Sequence, residues 1–439
     1  MQRRASQPRL IQAMRDAFSL PDLRRKLLFT FGILVVFRFL VHVPLPGVDL
    51  DALHNFFEQN QLLGMLDLFS GGAMKNFSIA AMGVYPYITS SIIMQLLVPV
   101  IPSLQALSQQ GETGQRKINR ITHLMTVPLA GLQGYSQLAL LSSQDIVGHL
   151  EPLSIAAIVV SMTAGTILLV WLGELITERG IGNGISIIIF GGIVASLAEM
   201  VVRGELAWKT SPLGLISFAI VGAVTLVVIV MFIEAHRRIP VQYARSSFRA
   251  GRMFRQSGST YIPLRVNTAG MIPIIFAIAL MQFPRLLASY FMNPIGQDPN
   301  FWNGVYRIFD SGASAPLGLV YWGTYFFLVM GFAFFYTMIV FEQMNLPKTL
   351  QQHGGFVPGV RPGKTTAEYL DGVMKRLTFG GALFLGMVAI MPFIARGITG
   401  VTVLTISSTA MLIAVGVALD TMKQLESQLT MRRYDGFLK

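Results

Sequence analysis

Cysteine does not occur anywhere in the 439 residues, which excludes a disulfide framework and a cysteine metal site. Charge is also scarce. Asp, Glu, Lys and Arg together make up 13% of the chain, against about 25% in an ordinary soluble domain. The six histidines, at 42, 54, 123, 149, 236 and 353, are scattered without metal-ligand spacing. There is no nucleophile–base pair and no phosphate-cradling Gly-rich loop, so nothing points to an enzyme and no cofactor is expected. What fills the chain is apolar: 53% of residues are hydrophobic and the mean hydropathy is +0.57. That balance places the chain among polytopic membrane proteins.

A bilayer core takes about 20 apolar residues per helix. Ten stretches qualify: 26–45, 76–100, 118–141, 153–174, 183–202, 212–233, 268–291, 317–341, 372–395 and 404–423. The polar, basic residues before the first of them do not read as a cleavable signal peptide. The run that follows is too long for a signal core and lacks a small-residue cleavage pattern, so the first span is expected to stay. A further apolar stretch, 62–73, is too short to cross and is rich in glycine (Gly64, Gly71, Gly72).

Lys and Arg fix the expected orientation. They cluster before the first span, in the loops after the second, fourth, sixth and eighth, and in the C-terminal tail; the opposite loops hold only Lys75, Arg203, Lys209, Arg285, Arg307 and Arg396. Both termini are therefore expected in the cytoplasm. The net charge of +12 collects on one membrane face. The loops after spans six and eight are long as well as basic, which suits an acidic or nucleic-acid partner.

Spans two and seven share a pattern. Gly83, Pro86, Ile88, Met94 and Gln95 recur as Gly270, Pro273, Ile275, Met281 and Gln282 at one constant offset. Two five-span halves must have opposite topology, so the pattern predicts an inverted repeat with its pathway between the halves. The boundary falls at 1–205 and 206–439.

The spans hold few ionisable groups. Arg38 lies where its stem can snorkel to the surface, and Glu174, Glu234 and Asp420 lie near cytoplasmic ends. No proton relay or cation cage is visible, although ion-coupled carriers place such groups inside the membrane. The centres of spans two, five, seven and ten are aliphatic instead, and a ring of such residues can seal a pore by dewetting. For any single residue, core or lipid packing remains the bland reading. Polar residues such as Thr89, Ser90, Ser91, Gln95, Gln133, Asn267 and Gln282 suit either plain interhelical bonding or a seam held weakly enough to open.

Nine stretches, in order, resemble the SecY/Sec61-alpha family along nearly the whole chain. They are PLPGVD (44–49), FSGGA (69–73), GVYPYITSSIIMQLL (83–97), GETGQRKIN (111–119), WLGELITERGIGNGISIIIFGGIV (171–194), RRIPVQYAR (237–245), TYIPLRVNTAGMIPIIFA (260–277), GGFVPGVRPGKTT (354–366) and VALDTMKQLESQL (417–429). The resemblance implies an all-α polytopic membrane protein with ten transmembrane helices. Two inverted five-helix halves would surround an hourglass pore with a short re-entrant plug helix. It implies a bacterial plasma-membrane channel that exports unfolded preproteins and releases apolar segments sideways.

Residue by residue, Val84, Ile88, Ile189, Ile275 and Ile413 match the pore ring, with Val84 standing where most members carry Ile. Stretch 62–73 matches the plug, with Leu66, Phe69, Ser70, Gly71 and Gly72. Thr89, Ser91, Gln133, Asn267 and Phe283 match the lateral gate. Arg237, Arg238, Arg245, Arg249 and Arg252 in the loop about 234–267, and Arg361 in the loop about 342–371, match the docking sites. The implied partners are the SecE and SecG subunits, the SecA ATPase, the ribosome, signal sequences and lipid. Gln109, Gln110 and Gln115 stand where relatives are often basic, so no docking site is carried onto that loop.

Two rival classes make different demands. A secondary transporter with inverted five-span repeats needs a charged or polar midplane site and saturable small-solute uptake. An intramembrane hydrolase needs a Ser–His, paired-Asp or HExxH arrangement in the spans, and none is found.

Overall fold

The computed structural model describes residues 18, 20–46, 48, 52–53, 70–142, 147, 151–196, 212–249, 252–291, 293, 298–310, 316–344, 346–352, 354–361, 363–399 and 408–435. Each of the ten apolar stretches contains a helix: Pro21–Val41, Tyr85–Leu97, Glu112–Ser142, Pro152–Arg179, Gly184–Ser196, Pro212–Glu234, Ile272–Phe291, Leu317–Met344, Lys364–Thr399 and Ser408–Asp435. Among the described residues, three helices are long and apolar enough to cross a membrane by length and composition alone. A fourth joins them if Tyr85–Leu97 and the bent continuation Pro102–Ser108 count as one span.

Proline marks several starts. Pro21, Pro86, Pro102 and Pro152 each sit in the first turn, where the missing N–H has no intrahelical partner to lose. Several threonine hydroxyls inside the spans are satisfied within their own helix. Thr122, Thr126, Thr163, Thr177, Thr225 and Thr378 all donate to the carbonyl one turn back. A hydroxyl paired in this way can lie in hydrocarbon without an orphaned donor.

The chain clusters into two compact units, one of residues 1–210, 282–318 and 416–439, the other of 211–281 and 319–415. The first has a core of Leu53, Phe77, Ala81, Met82, Ala130, Leu138 and Met162. Gly165 lets helix Pro152–Arg179 press directly on the Ile79 carbonyl, a space that any Cβ would fill. A smaller cluster, Leu23, Ile181 and Leu425, ties the first helix, the turn after Arg179 and the last helix together. In the second unit the Phe232 and Phe384 rings stack at 3.7 Å, joining helices Pro212–Glu234 and Lys364–Thr399.

The second apolar stretch starts later than its hydropathy implies. Residues 71–84 form turns, and the helix begins only at Tyr85. Gly83 has φ +55°, a conformation open to glycine and unfavourable for other residues, and it breaks any helix entering from the N-terminal side.

Outside the spans, strands β1 (His236–Arg249) and β2 (Arg252–Arg265) pair antiparallel along their full length. Fourteen residues per strand give an arm of about 46 Å at 3.3 Å per residue. A third strand, β3 (Gly355–Phe356), pairs with β1 at Gln242 and Tyr243.

Candidate functional site

The two repeat helices begin alike. Gly83 and Gly270 both take positive φ, +55° and +65°. Helix follows two residues later in each, at Tyr85 and Ile272, with proline second. The Ile88 N–H bonds the Val84 carbonyl at 3.1 Å, and the Ile275 N–H bonds the Met271 carbonyl at 3.4 Å. Ile88 and Ile275 thus occupy the same place in the first turn of two separate helices, and both are half-buried. Met94 and Met281 are both buried. Gln95 and Gln282 each keep a buried side-chain atom without a hydrogen-bond partner among the described residues.

Of the other residues matched to the pore ring, Val84 caps helix 85–97 and Ile189 lies in helix 184–196; both are buried within the first unit. Ile413, in helix 408–435, is fully buried within the second. Ile88 belongs to the first unit and Ile275 to the second.

Leu66 and Phe69 lie outside the described residues, whereas Ser70, Gly71 and Gly72 lie within them and are buried. Ser70 Oγ accepts from the Met74 N–H at 3.2 Å. Gly71 has φ +70°, and a Cβ there would fall 2.8 Å from Gly192 Cα and 3.0 Å from the Phe37 ring. Only glycine fits this contact with helices 21–41 and 184–196. Arg38 Nη1 donates to the Gly71 carbonyl, 33 residues on in the chain, at 2.6 Å. A charged donor on a carbonyl is among the stronger hydrogen bonds.

The residues matched to the gate, and the polar Ser90 and Gln95 beside them, behave differently from one another. Thr89 Oγ1 donates to the Tyr85 carbonyl at 3.1 Å and Gln95 Nε2 donates to Ser91 Oγ at 3.3 Å, so both stay within their own helix. Ser90 instead reaches a neighbour, donating to the Thr122 carbonyl at 2.6 Å. Gln133 Oε1 and Asn267 Oδ1 are buried without a partner among the described residues. Phe283 is exposed.

Two features escaped the sequence. His123 Nε2 lies 2.8 Å from Glu174 Oε1, and the Tyr87 ring packs on His123 at 5.3 Å, tying three helices of the first unit. No motif links residues so far apart in the chain. The other is β3, which fuses the two basic loops into one sheet. Gly355 allows it, because a Cβ there would meet the Tyr243 ring at 2.8 Å. The base of the sheet is packed by Ile239, Val241, Leu264, Leu350, Val357, Leu370 and Met374.

Arg237, Arg238 and Arg361 are exposed around this base. Arg238 lies 4.9 Å over the Tyr261 ring. Arg361 sits between Gly359 and Gly363, both at positive φ, and its carbonyl accepts from Thr366 Oγ1 at 2.8 Å. Arg245 pairs in register with Gln256, and Arg249 with Arg252 at the tip; their side chains lie outside the described set.

Comparison with known proteins agrees with this organisation. The SecY family model matches residues 78–422. A protein translocase subunit SecY from Streptomyces scabiei is 43% identical, over 98% of this chain and all of the relative. A solved structure concerned with the SecY plug domain, the closed translocation channel and its membrane seal superposes with a TM-score of 0.64. It covers 92% of each chain at 18% identity. Sec61 in a canine ribosome–channel complex superposes with a TM-score of 0.59, again over 92% of each chain at 18% identity. A chain with paired helix starts, a two-loop sheet and this breadth of likeness belongs to the SecY family.

Proposed function

We propose that unfolded polypeptide crosses the membrane between two inverted halves, 1–205 and 206–439, past a collar of Val84, Ile88, Ile189, Ile275 and Ile413. The chain is a protein-conducting channel subunit, and the observation that carries this reading of its interior is the repeated helix start. It sets one aliphatic side chain, Ile88 or Ile275, at the same point of the first turn in both repeats. Branched aliphatic groups hold back water and ions by dewetting, and they bind no passing residue tightly. Polar segments need such a passage because unpaired backbone groups are costly in lipid.

Apolar segments leave sideways between the helices that carry Thr89, Ser91 and Gln133 and the helix that carries Phe283, with Asn267 in the loop before it. Each central Leu, Ile, Phe or Val gains roughly 0.3–0.6 kcal/mol in the membrane. About 20 of them outweigh a few interhelical hydrogen bonds at about 0.6 kcal/mol each. Stretch 62–73 acts as the plug at rest, with its C-terminal end held by Arg38.

The sheet and the Arg361 turn form the docking face, on the cytoplasmic side together with both termini, in a bacterial plasma membrane. Fusion through β3 lets a partner on Arg237, Arg238, Arg245, Arg249 or Arg252 feel the Arg361 turn as well. The ribosome of the Sec61 complex and the SecA ATPase are the partners proposed there. SecE and SecG are the proposed companion helices. The channel draws its energy from these partners.

Photocrosslinking tests the pathway. A photoreactive residue at position 275 should capture a stalled preprotein in reconstituted membranes. Capture of lipid alone from that position overturns the collar.

A further inference from the structure

The segment after helix Ile272–Phe291 carries an apolar surface that the channel reading does not use. Twenty residues at 1.5 Å each make that helix about 30 Å long, matching a bilayer core of about 30 Å. For a helix of that length spanning the core, Phe291, its last residue, reaches the boundary between acyl chains and headgroups. The Phe291 and Trp302 rings meet at 5.2 Å. This contact sets the short helix Phe301–Ile308 at the same level.

The short helix is fixed to the span at both ends. At its start, Asn300 and Asn303 form a capping box. Asn300 Nδ2 donates to the Phe291 carbonyl at 2.7 Å, and Asn303 Nδ2 donates to the Asn293 carbonyl at 3.2 Å. At its end, Arg285 reaches across from the span. Its Nη2 donates to the Tyr306 hydroxyl at 2.9 Å, its guanidinium lies 4.8 Å from the Tyr306 ring, and its Nη1 lies 3.7 Å from Asp310 Oδ1. The Arg285 side chain is only 12% exposed, so these bonds are largely shielded from water.

With both ends held, Phe301 stays 77% exposed and Ile308 37% exposed. They lie two turns apart on one helix face, with half-buried Val305 between them. An aromatic-rich apolar face beside a Trp and an exposed Arg307 is the composition of a helix lying in a membrane interface.

We propose that Phe301–Ile308 is an interfacial anchor. It seats Phe301 and Ile308 in the phospholipid at the C-terminal end of the span and, through Arg285 and the asparagines, fixes the depth of that end. The partner is the bilayer itself. The inference rests on 272–291 crossing the membrane and stands whether or not the collar reading holds.

Depth-dependent fluorescence quenching tests it. The intact chain and its Trp302→Phe variant are reconstituted in phosphatidylcholine vesicles brominated either near the headgroup or near the chain ends, and the difference signal is assigned to Trp302. Strong quenching by shallow bromine, with weak quenching by deep bromine and by aqueous acrylamide, is expected. Phe301→Asp with Ile308→Asp should raise acrylamide quenching about twofold or more, because those side chains supply the apolar area that holds the helix down. Equal access to acrylamide with no response to either bromine position overturns the proposal. So does shielding that depends on protein concentration rather than on lipid, which would mean that a second copy covers the face. Should the double variant fail to fold, the bromine measurement on the intact chain decides alone.

Discussion

Helices 85–97 and 272–291 start alike and end differently. Both open with a positive-φ glycine, a proline in the first turn and an isoleucine at the fourth residue. The first then stops at Leu97 and turns by 102° into Pro102–Ser108. Pro99 and Pro102 contribute to the stop: neither can donate to the helix, and Ile101, before Pro102, is extended at φ −95°, ψ 114°, as a residue before proline tends to be. The second helix absorbs its single internal proline, Pro284, and runs on to Phe291. The likeness runs from the glycines through Met94 and Gln95, matched by Met281 and Gln282, and ends where the first helix turns.

The largest effect should come from the shared position. Replacing Ile88 or Ile275 with Gly should make the resting channel leak ions, and the double variant should leak more than either single one. Planar-bilayer conductance measures this. Comparable leaks from the two single variants would sharpen the equivalence of the repeats. A leak from only one would break it and leave the other helix start with a packing role.

A smaller effect should follow from the glycines that precede the helices. Among the described residues nothing lies within 4 Å of where a Gly270 Cβ would sit, so Gly270→Ala tests backbone conformation. Holding an L-residue in the left-handed region costs about 1–2 kcal/mol, and that loss of unfolding free energy is expected. Gly270→Asn should recover part of it, because Asn tolerates that region better. If Gly270→Ala is neutral, the helix start at 272 does not depend on the turn it shares with the start at 85.

Much of this was legible in the sequence because it rests on composition and spacing. Ten apolar stretches led to ten helices, and one constant offset between Gly83 and Gly270 led to two matching helix starts. Contacts between distant residues were not legible. The third strand has only two residues, Gly355 and Phe356, too few to show a period, so the fusion of the two basic loops left no trace. The loop about 234–267 read only as long and basic, yet β1 and β2 run through it to the tip because cross-strand pairing overrides the weak propensity of its Arg and Ser residues. The bond from Arg38 to a carbonyl 33 residues away left no mark in the hydropathy pattern. For the same reason the His123–Glu174 pair went unseen.

The smallest effect concerns a position where the repeats differ. Ser90 and Ala277 stand at equivalent places, and both are completely buried. Ser90 bonds the Thr122 carbonyl, while alanine has no such donor. Interhelical hydrogen bonds in membrane proteins average about 0.6 kcal/mol, and the Thr122 carbonyl also accepts from Thr126 Oγ1 at 2.8 Å, so it keeps a partner if Ser90 is lost. Ser90→Ala should therefore lower unfolding free energy in mixed micelles by about 0.6 kcal/mol, near the average for one such bond. A loss several times larger would show that the first repeat depends on a polar tie that the second lacks. The two helices would then share a starting geometry while being held in place by different forces.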